Sequence, residues 1–198
     1  LLWSSAFVTT KPIVDNSDPF SALAFRFFFV AIGFYFFSIY SKHSIVIKTN
    51  SLVEAILSGV LFHGFYLGGV FYSISIGMPT GIAALIVTLQ PILTNIFSGP
   101  ILGEKVTLKQ WAGGLLGFIG ATLVLGFDIG TDIPFLGLVA TIISLVAITF
   151  STIWQKKISN KLPLSVSNFY QAVGGCFFHI LVIIFFVDPY IDFNETFL

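Results

Sequence analysis

The sequence predicts an all-α fold, a polytopic membrane bundle of about seven helices, and three observations carry that expectation. Only 9% of the 198 residues are charged and 56% are hydrophobic, whereas a soluble domain of this size carries about 25% charged residues to wet its surface. The apolar residues form continuous stretches close to the roughly 20 residues a helix needs to cross hydrocarbon, without the period-2 alternation of a membrane barrel. Short connections rich in Pro, Gly, Asn and Asp separate the stretches. A soluble enzyme, a secreted disulfide scaffold and a disordered chain are thereby excluded. Net charge is zero and Cys176 is the one cysteine. No basic field draws nucleic acid, and no disulfide framework or cysteine-based metal cluster can form.

The first element, residues 1–14, is apolar from Leu1 and lacks a basic n-region and an A-x-A-like cleavage site. It reads as the remaining part of a membrane helix, and both chain ends read as cut. Ser4, Phe7 and Lys11 align along it. The second helix, 20–41, follows Asp15-Asn16-Ser17-Asp18-Pro19 and is rich in Phe. Its Arg26, like Lys11, lies near the outer boundary. A mid-bilayer charge costs ~3 kcal/mol on insertion scales, and snorkelling relieves that cost.

The third helix, 52–77, carries two stripes at 100° per residue. Gly59, His63, Tyr66, Ser73 and Gly77 form one, and the G-x-x-x-G pair Gly64 and Gly68 forms the other. The glycine pair implies close helix packing. His63 lies mid-membrane, where a neutral imidazole can bind a solute or relay a proton; a hydrogen bond to a neighbouring helix is the plainer alternative. Glu54 reads as a solvated carboxylate at the interface.

In the fourth helix, 80–102, Thr88, Gln90, Pro91, Thr94, Asn95 and Ser98 occupy one half, and Leu85, Ile86, Leu89, Ile92, Leu93 and Ile96 the other. One half of this helix avoids lipid. Pro91 removes a backbone donor near mid-membrane and is expected to act as a hinge. The polar half suits a cavity wall, and polar glue between helices is the alternative. The fifth helix, 108–126, offers Gly113, Gly114, Gly117 and Gly120 as a packing surface. The sixth, 134–155, carries the stripe Gly137, Ser144, Ser151 and Gln155; the seventh, 166–187, carries Asn168, Gly175 and His179.

Loop charge orients the bundle. With the first residues in the cytoplasm, Lys42, Lys48, Lys105, Lys109, Lys156, Lys157 and Lys161 all fall inside, as the positive-inside rule requires. Asp15, Asp18, Asp128, Asp132, Asp188, Asp192 and Glu195 then fall outside, and residues 188–198 are external. A shift of 144 residues aligns Pro19-Phe20-Ser21 with Pro163-Leu164-Ser165, and Phe25 with Phe169. Five helices lie between the equivalent points, so the second copy is inverted, and the loop charges invert with it. Inverted repeats of this kind characterise secondary transporters.

The sequence also resembles a known family. Trp3-Ser4-Ser5-Ala6-Phe7-Val8 with Lys11, and Phe25-Arg26-Phe27, look like the opening of an EamA domain. Gly81-Ile82-Ala83-Ala84-Leu85, Leu89-Gln90-Pro91, Leu102-Gly103-Glu104-Lys105 and Trp111-Ala112-Gly113 follow in the family's order and spacing. The chain is thus similar to the EamA branch of the drug/metabolite transporter superfamily. The resemblance implies a ten-helix protein of two inverted five-helix repeats. Residues 1–127 correspond to the first, and 133–198 to the opening helices of the second. It further implies a cavity lined by the first, third, fourth and sixth helices, and a structural cap at Gly103-Glu104. About three helices are absent, so two copies of this chain would have to assemble, as a homodimer, to close a path.

The expected function is secondary transport of small organic metabolites such as amino acids, outward and by alternating access, across the plasma (inner) membrane. The small-molecule solute and the lipid bilayer are the expected partners, with no cofactor; proton coupling is open. Candidate cavity residues are His63, Tyr66, Thr88, Gln90 and Asn95, with Ser4, Phe7, Ser151 and Gln155. No nucleotide-binding loop, H-E-x-x-H or G-x-S-x-G is present, so ATP-driven pumping by this chain is excluded and no enzyme is expected. The alternatives are an intramembrane enzyme using His63 or Glu54, and a non-transporting assembly subunit.

Overall fold

The computed structural model describes residues 2–125, 132–159 and 161–190, with side chains for all of these except 2–8, 124 and 125. Each of the seven expected stretches is helical: α1 Leu2–Asn16, α2 Pro19–Tyr40, α3 Thr49–Ser75, α4 Thr80–Leu102, α5 Leu108–Leu125, α6 Phe135–Ser159 and α7 Leu164–Phe186. Five of them, α2, α3, α4, α6 and α7, are long and apolar enough to cross a bilayer. This is an integral membrane protein.

Local chemistry sets the helix ends. Asp18 caps α2, its carboxylate accepting from the Ser21 N–H at 2.7 Å, and Pro19 sits at the first helical position, where its missing donor costs nothing. Asp18→Ala should cost about 1 kcal/mol, a fall of a few degrees in the thermal midpoint that Asp18→Asn does not reproduce. α6 runs to Ser159 rather than 155. Lys156 and Lys157 lie in its last turn, where cations favour the helix C-terminus. Gly103 ends α4 at φ +71°, donating to the Gly99 carbonyl.

Two helices are irregular at their midpoints. α3 widens into a π-helix over Val60–Leu67. α4 stops at Val87 and resumes at Gln90, leaving Thr88-Leu89 as a turn. Pro91 accounts for the second, because its nitrogen cannot serve the Val87 carbonyl. Thr88 turns its own hydroxyl onto the Leu85 carbonyl, at 2.6 Å.

α3 stands between α6 and α7, and α2 packs along α7. Tyr35 meets Phe169 and the Cys176 thiol reaches the Ala24 carbonyl, so α2 and α7, which the 144-residue shift relates, run antiparallel. α4 lies on α6, with Phe97 against Phe150. Leu23, Phe27, Tyr66, Val70, Val87 and Ile148 belong to one buried core. The outward faces are apolar, with Phe36, Phe186, Leu116 and Leu123 more than 60% exposed, as lipid contact requires.

α5 differs from expectation. A Cβ at Gly114 would touch Ile92 and Asn95 of α4, but at Gly113, Gly117 and Gly120 it would meet nothing within 4 Å. Only one of the four glycines packs, because α5 rests on α4 along a single edge.

Candidate functional site

The irregular segments of α3 and α4 lie near the midpoints of their helices, and several candidate residues concentrate there. His63 and Tyr66 stand within the π-helical turn; Thr88, Gln90 and Pro91 stand at the break in α4. Irregular backbone at mid-membrane is tolerated where protein buries it or where it lines a cavity, and π-turns recur at functional positions. Tyr66 and Val87 share the buried core, so the two segments belong to one packed region.

His63 is half-buried among rings, 4.3 Å between centroids from Phe27 and 5.1 Å from Phe62. Its own carbonyl, inside the π-turn, lies 3.0 Å from Nε2 of the fully buried His179. A carbonyl only accepts, so Nε2 of His179 carries the proton. That leaves its Nδ1 an acceptor. The Nδ1 atoms of both histidines are buried without a hydrogen-bond partner among the described residues. The two histidines stand on separate helices, and this hydrogen bond ties α7 to the π-turn of α3.

Gln90 donates to the Thr152 hydroxyl of α6 at 3.1 Å, bridging the break in α4 to the neighbouring helix. Thr94 Oγ1 is buried without a hydrogen-bond partner among the described residues, and Pro91 is exposed. Asn95 donates to the Gln110 carbonyl, where α5 starts. The α6 stripe faces α3 and α7. Ser144 reaches the Phe65 carbonyl, Ser151 the Ser58 carbonyl at 3.2 Å, and Gln155 donates to Gln171 Oε1 at 3.0 Å. The side chains of Ser4 and Phe7 lie outside the described residues, as do Asp128, Asp192 and Glu195 of the charge reading.

Ser58, Thr152 and Gln171 were not singled out from sequence, yet each receives or returns a hydrogen bond from a candidate. Ser58 adjoins Gly59, and Thr152 adjoins Ser151; neighbours of a polar stripe were the available signal. Near the lysine-rich end Glu54 and Glu104 pair with Lys161 and Lys156, so Gly103 supplies the helix cap and Glu104 an ion pair. Among the described residues no three His, Cys, Asp or Glu side chains gather as metal ligands.

Comparison with known proteins finds transporters among the relatives of this chain. Residues 1–126 match the EamA-like transporter family. The chain is 28% identical over 132 residues to the uncharacterized transporter YvbV of Bacillus subtilis, covering 63% of this chain and 42% of the relative. It is 28% identical over 159 residues to a probable amino-acid metabolite efflux pump of Escherichia coli, covering 80% and 51%. It is 26% identical over 133 residues to an S-adenosylmethionine/S-adenosylhomocysteine transporter of Chlamydia muridarum, covering 67% and 41%. The chain therefore spans about half the length of the curated relatives it matches.

Proposed function

The chain belongs to the EamA-like transporter family, and on that premise we propose that it forms part of a secondary transporter moving small organic metabolites out of the cell by alternating access. The observation that carries the reading is the pair of mid-helix irregularities, the π-turn of α3 and the Pro91 break of α4. Interrupted helices at the midplane are where secondary transporters hold their solutes, because freed backbone groups there can be met by the solute itself. His63, Tyr66, Thr88, Gln90 and Asn95 are the proposed lining, with Pro91 as hinge and Ser4, Phe7, Ser151 and Gln155 as contributors. The residues up to 127 form the first inverted repeat in this reading, those from 133 onward open the second, and the lysine-rich end is cytoplasmic.

The relatives named for amino-acid metabolites and for S-adenosylmethionine support a zwitterionic amino-acid derivative as the solute class. The buried, unpartnered Nδ1 atoms of His63 and His179 are the proposed proton carriers if transport is proton-driven; collapsing the pH gradient should then stop it.

A non-transporting assembly subunit is favoured by one observation, the hydrogen bonds that tie Ser151, Gln155 and Gln90 to neighbouring helices. One experiment separates the two readings. Single cysteines placed at 88, 91 and 95 of the full-length protein should react with an aqueous thiol reagent on the order of tenfold faster than one at 96, an exposed position of the hydrophobic half. Equal, slow reaction at all four positions would exclude a solute path along α4.

A further inference from the structure

We propose that two ion pairs, Glu104 with Lys156 and Glu54 with Lys161, gate the lysine-rich end of the solute path. This rests on the transport reading above and assigns four residues that it leaves without a role.

The Lys156 ammonium lies 2.6 Å from Oε1 and 2.7 Å from Oε2 of Glu104. That of Lys161 lies 2.8 and 2.7 Å from the two oxygens of Glu54. Both carboxylates belong to the segment that matches the family, residues 1–126, and both lysines lie beyond it. Glu54 is in the second turn of α3 and Glu104 in the α4–α5 connection. Lys156 is in the last turn of α6 and Lys161 just before α7. The end of α6 and the chain leading to α7 are thus clamped to the ends of α3 and α4.

Among the described residues this arrangement is confined to one end. The third ion pair among the described residues, Lys11 with Asp15, lies within α1 and joins nothing. At the opposite end, among the described residues, the first segment meets the later helices without an ion pair. The Asp18 N–H donates to the Tyr190 carbonyl at 3.0 Å, and Met78 packs where Gly137 leaves room. Between the end of α6 and the start of α7, a cavity of about 120 Å³ is lined by Gln155, Ser159, Asn168 and Gln171 together with Leu162 and Leu164, and Lys156 and Lys161 are close to these residues in sequence.

The strength of the pairs suits a gate. All four side chains keep 29–59% of their surface exposed, and ion pairs in that setting shift an equilibrium by up to about fivefold apiece. A buried pair would lock the end shut. Two half-exposed ones bias it closed, yet break on each cycle.

The test uses the full-length protein in inside-out membrane vesicles, with Thr88→Cys as the sole reactive cysteine and a membrane-impermeant maleimide as probe. Reversing both lysines, Lys156→Glu with Lys161→Glu, should raise the labelling rate about tenfold. Adding Glu54→Lys and Glu104→Lys, which restores both pairs in the opposite sense, should return the rate to that of the parent. An unchanged rate in the lysine variant, or a rate that stays raised after the swap, overturns the gate. If Thr88→Cys labels from right-side-out vesicles while the inside rate ignores all four charges, the gate fails and the path stands. If it labels from neither side in any variant, the path fails and the gate with it.

Discussion

Replacing Gly59 by alanine is expected to lower the thermal midpoint of the detergent-solubilised protein by on the order of 10 °C and to reduce its accumulation in the membrane. A Cβ on Gly59 would run into the backbone of Gln171, with its Cα at 2.5 Å and its carbonyl carbon at 2.6 Å. One on Gly174 would meet the Ile56 carbonyl carbon at 3.2 Å, and one on Gly175 would strike the His63 side chain. α3 and α7 therefore touch backbone to backbone. In a membrane, where lipid is as apolar as any side chain, such close approach is a principal source of helix association. Backbone cannot move aside as a flexible side chain can, so the alanine forces the helices apart at a cost of about 3 kcal/mol, which for a chain of this size corresponds to that fall in midpoint. Gly117→Ala and Gly120→Ala on α5, which meet nothing within 4 Å, are the matched controls and should leave the midpoint in place. If Gly59→Ala melted with these controls, the α3–α7 contact would not hold the bundle together.

The same contact shows what the sequence could and could not convey. Seven apolar stretches with turn residues between them were legible because each is a local property, bilayer thickness against helix rise. Gly64 and Gly68 were legible as a packing pair, and both do face α7, Gly64 toward Phe178 and Gly68 toward His179. Their relation to Gly59 was not legible. At 100° per residue Gly59 and Gly64 fall on different stripes, and only the wider turn over Val60–Leu67 brings both onto one neighbour. Periodicity assumes a constant pitch, and it fails where the pitch changes. Pro91 announced the break in α4 because proline removes a donor wherever it stands; no residue type announces a π-turn. The partners of Gln90, Ser151 and Glu104 were invisible for a different reason. Each is supplied by another helix, and a stripe shows which face is polar without showing what meets it.

Gln90 offers the sharpest test of what its stripe is for. On the transport proposal, Gln90→Leu in the full-length protein should lower transport by at least tenfold while leaving the thermal midpoint within a few degrees of the parent. Its one hydrogen bond among the described residues runs to Thr152, and bonds between membrane helices contribute only about 0.6 kcal/mol on average. Losing that bond is therefore a small structural event. The comparison that decides is Thr152→Val, which removes the same bond from the other side and keeps the amide of Gln90 at the break in α4. If Gln90 serves only as glue between α4 and α6, the two variants are equivalent, with slightly lower stability and unchanged KM. If it meets the solute, Gln90→Leu raises KM or abolishes transport, and Thr152→Val transports close to normally with its Gln90 amide freed. Substituting Gln90→Asn refines the outcome, because it retains the amide but draws it back by one methylene. Partial transport with a raised KM would mean that the reach of the amide matters as well as its presence, as expected of a group that touches a solute rather than one that fills a helix interface.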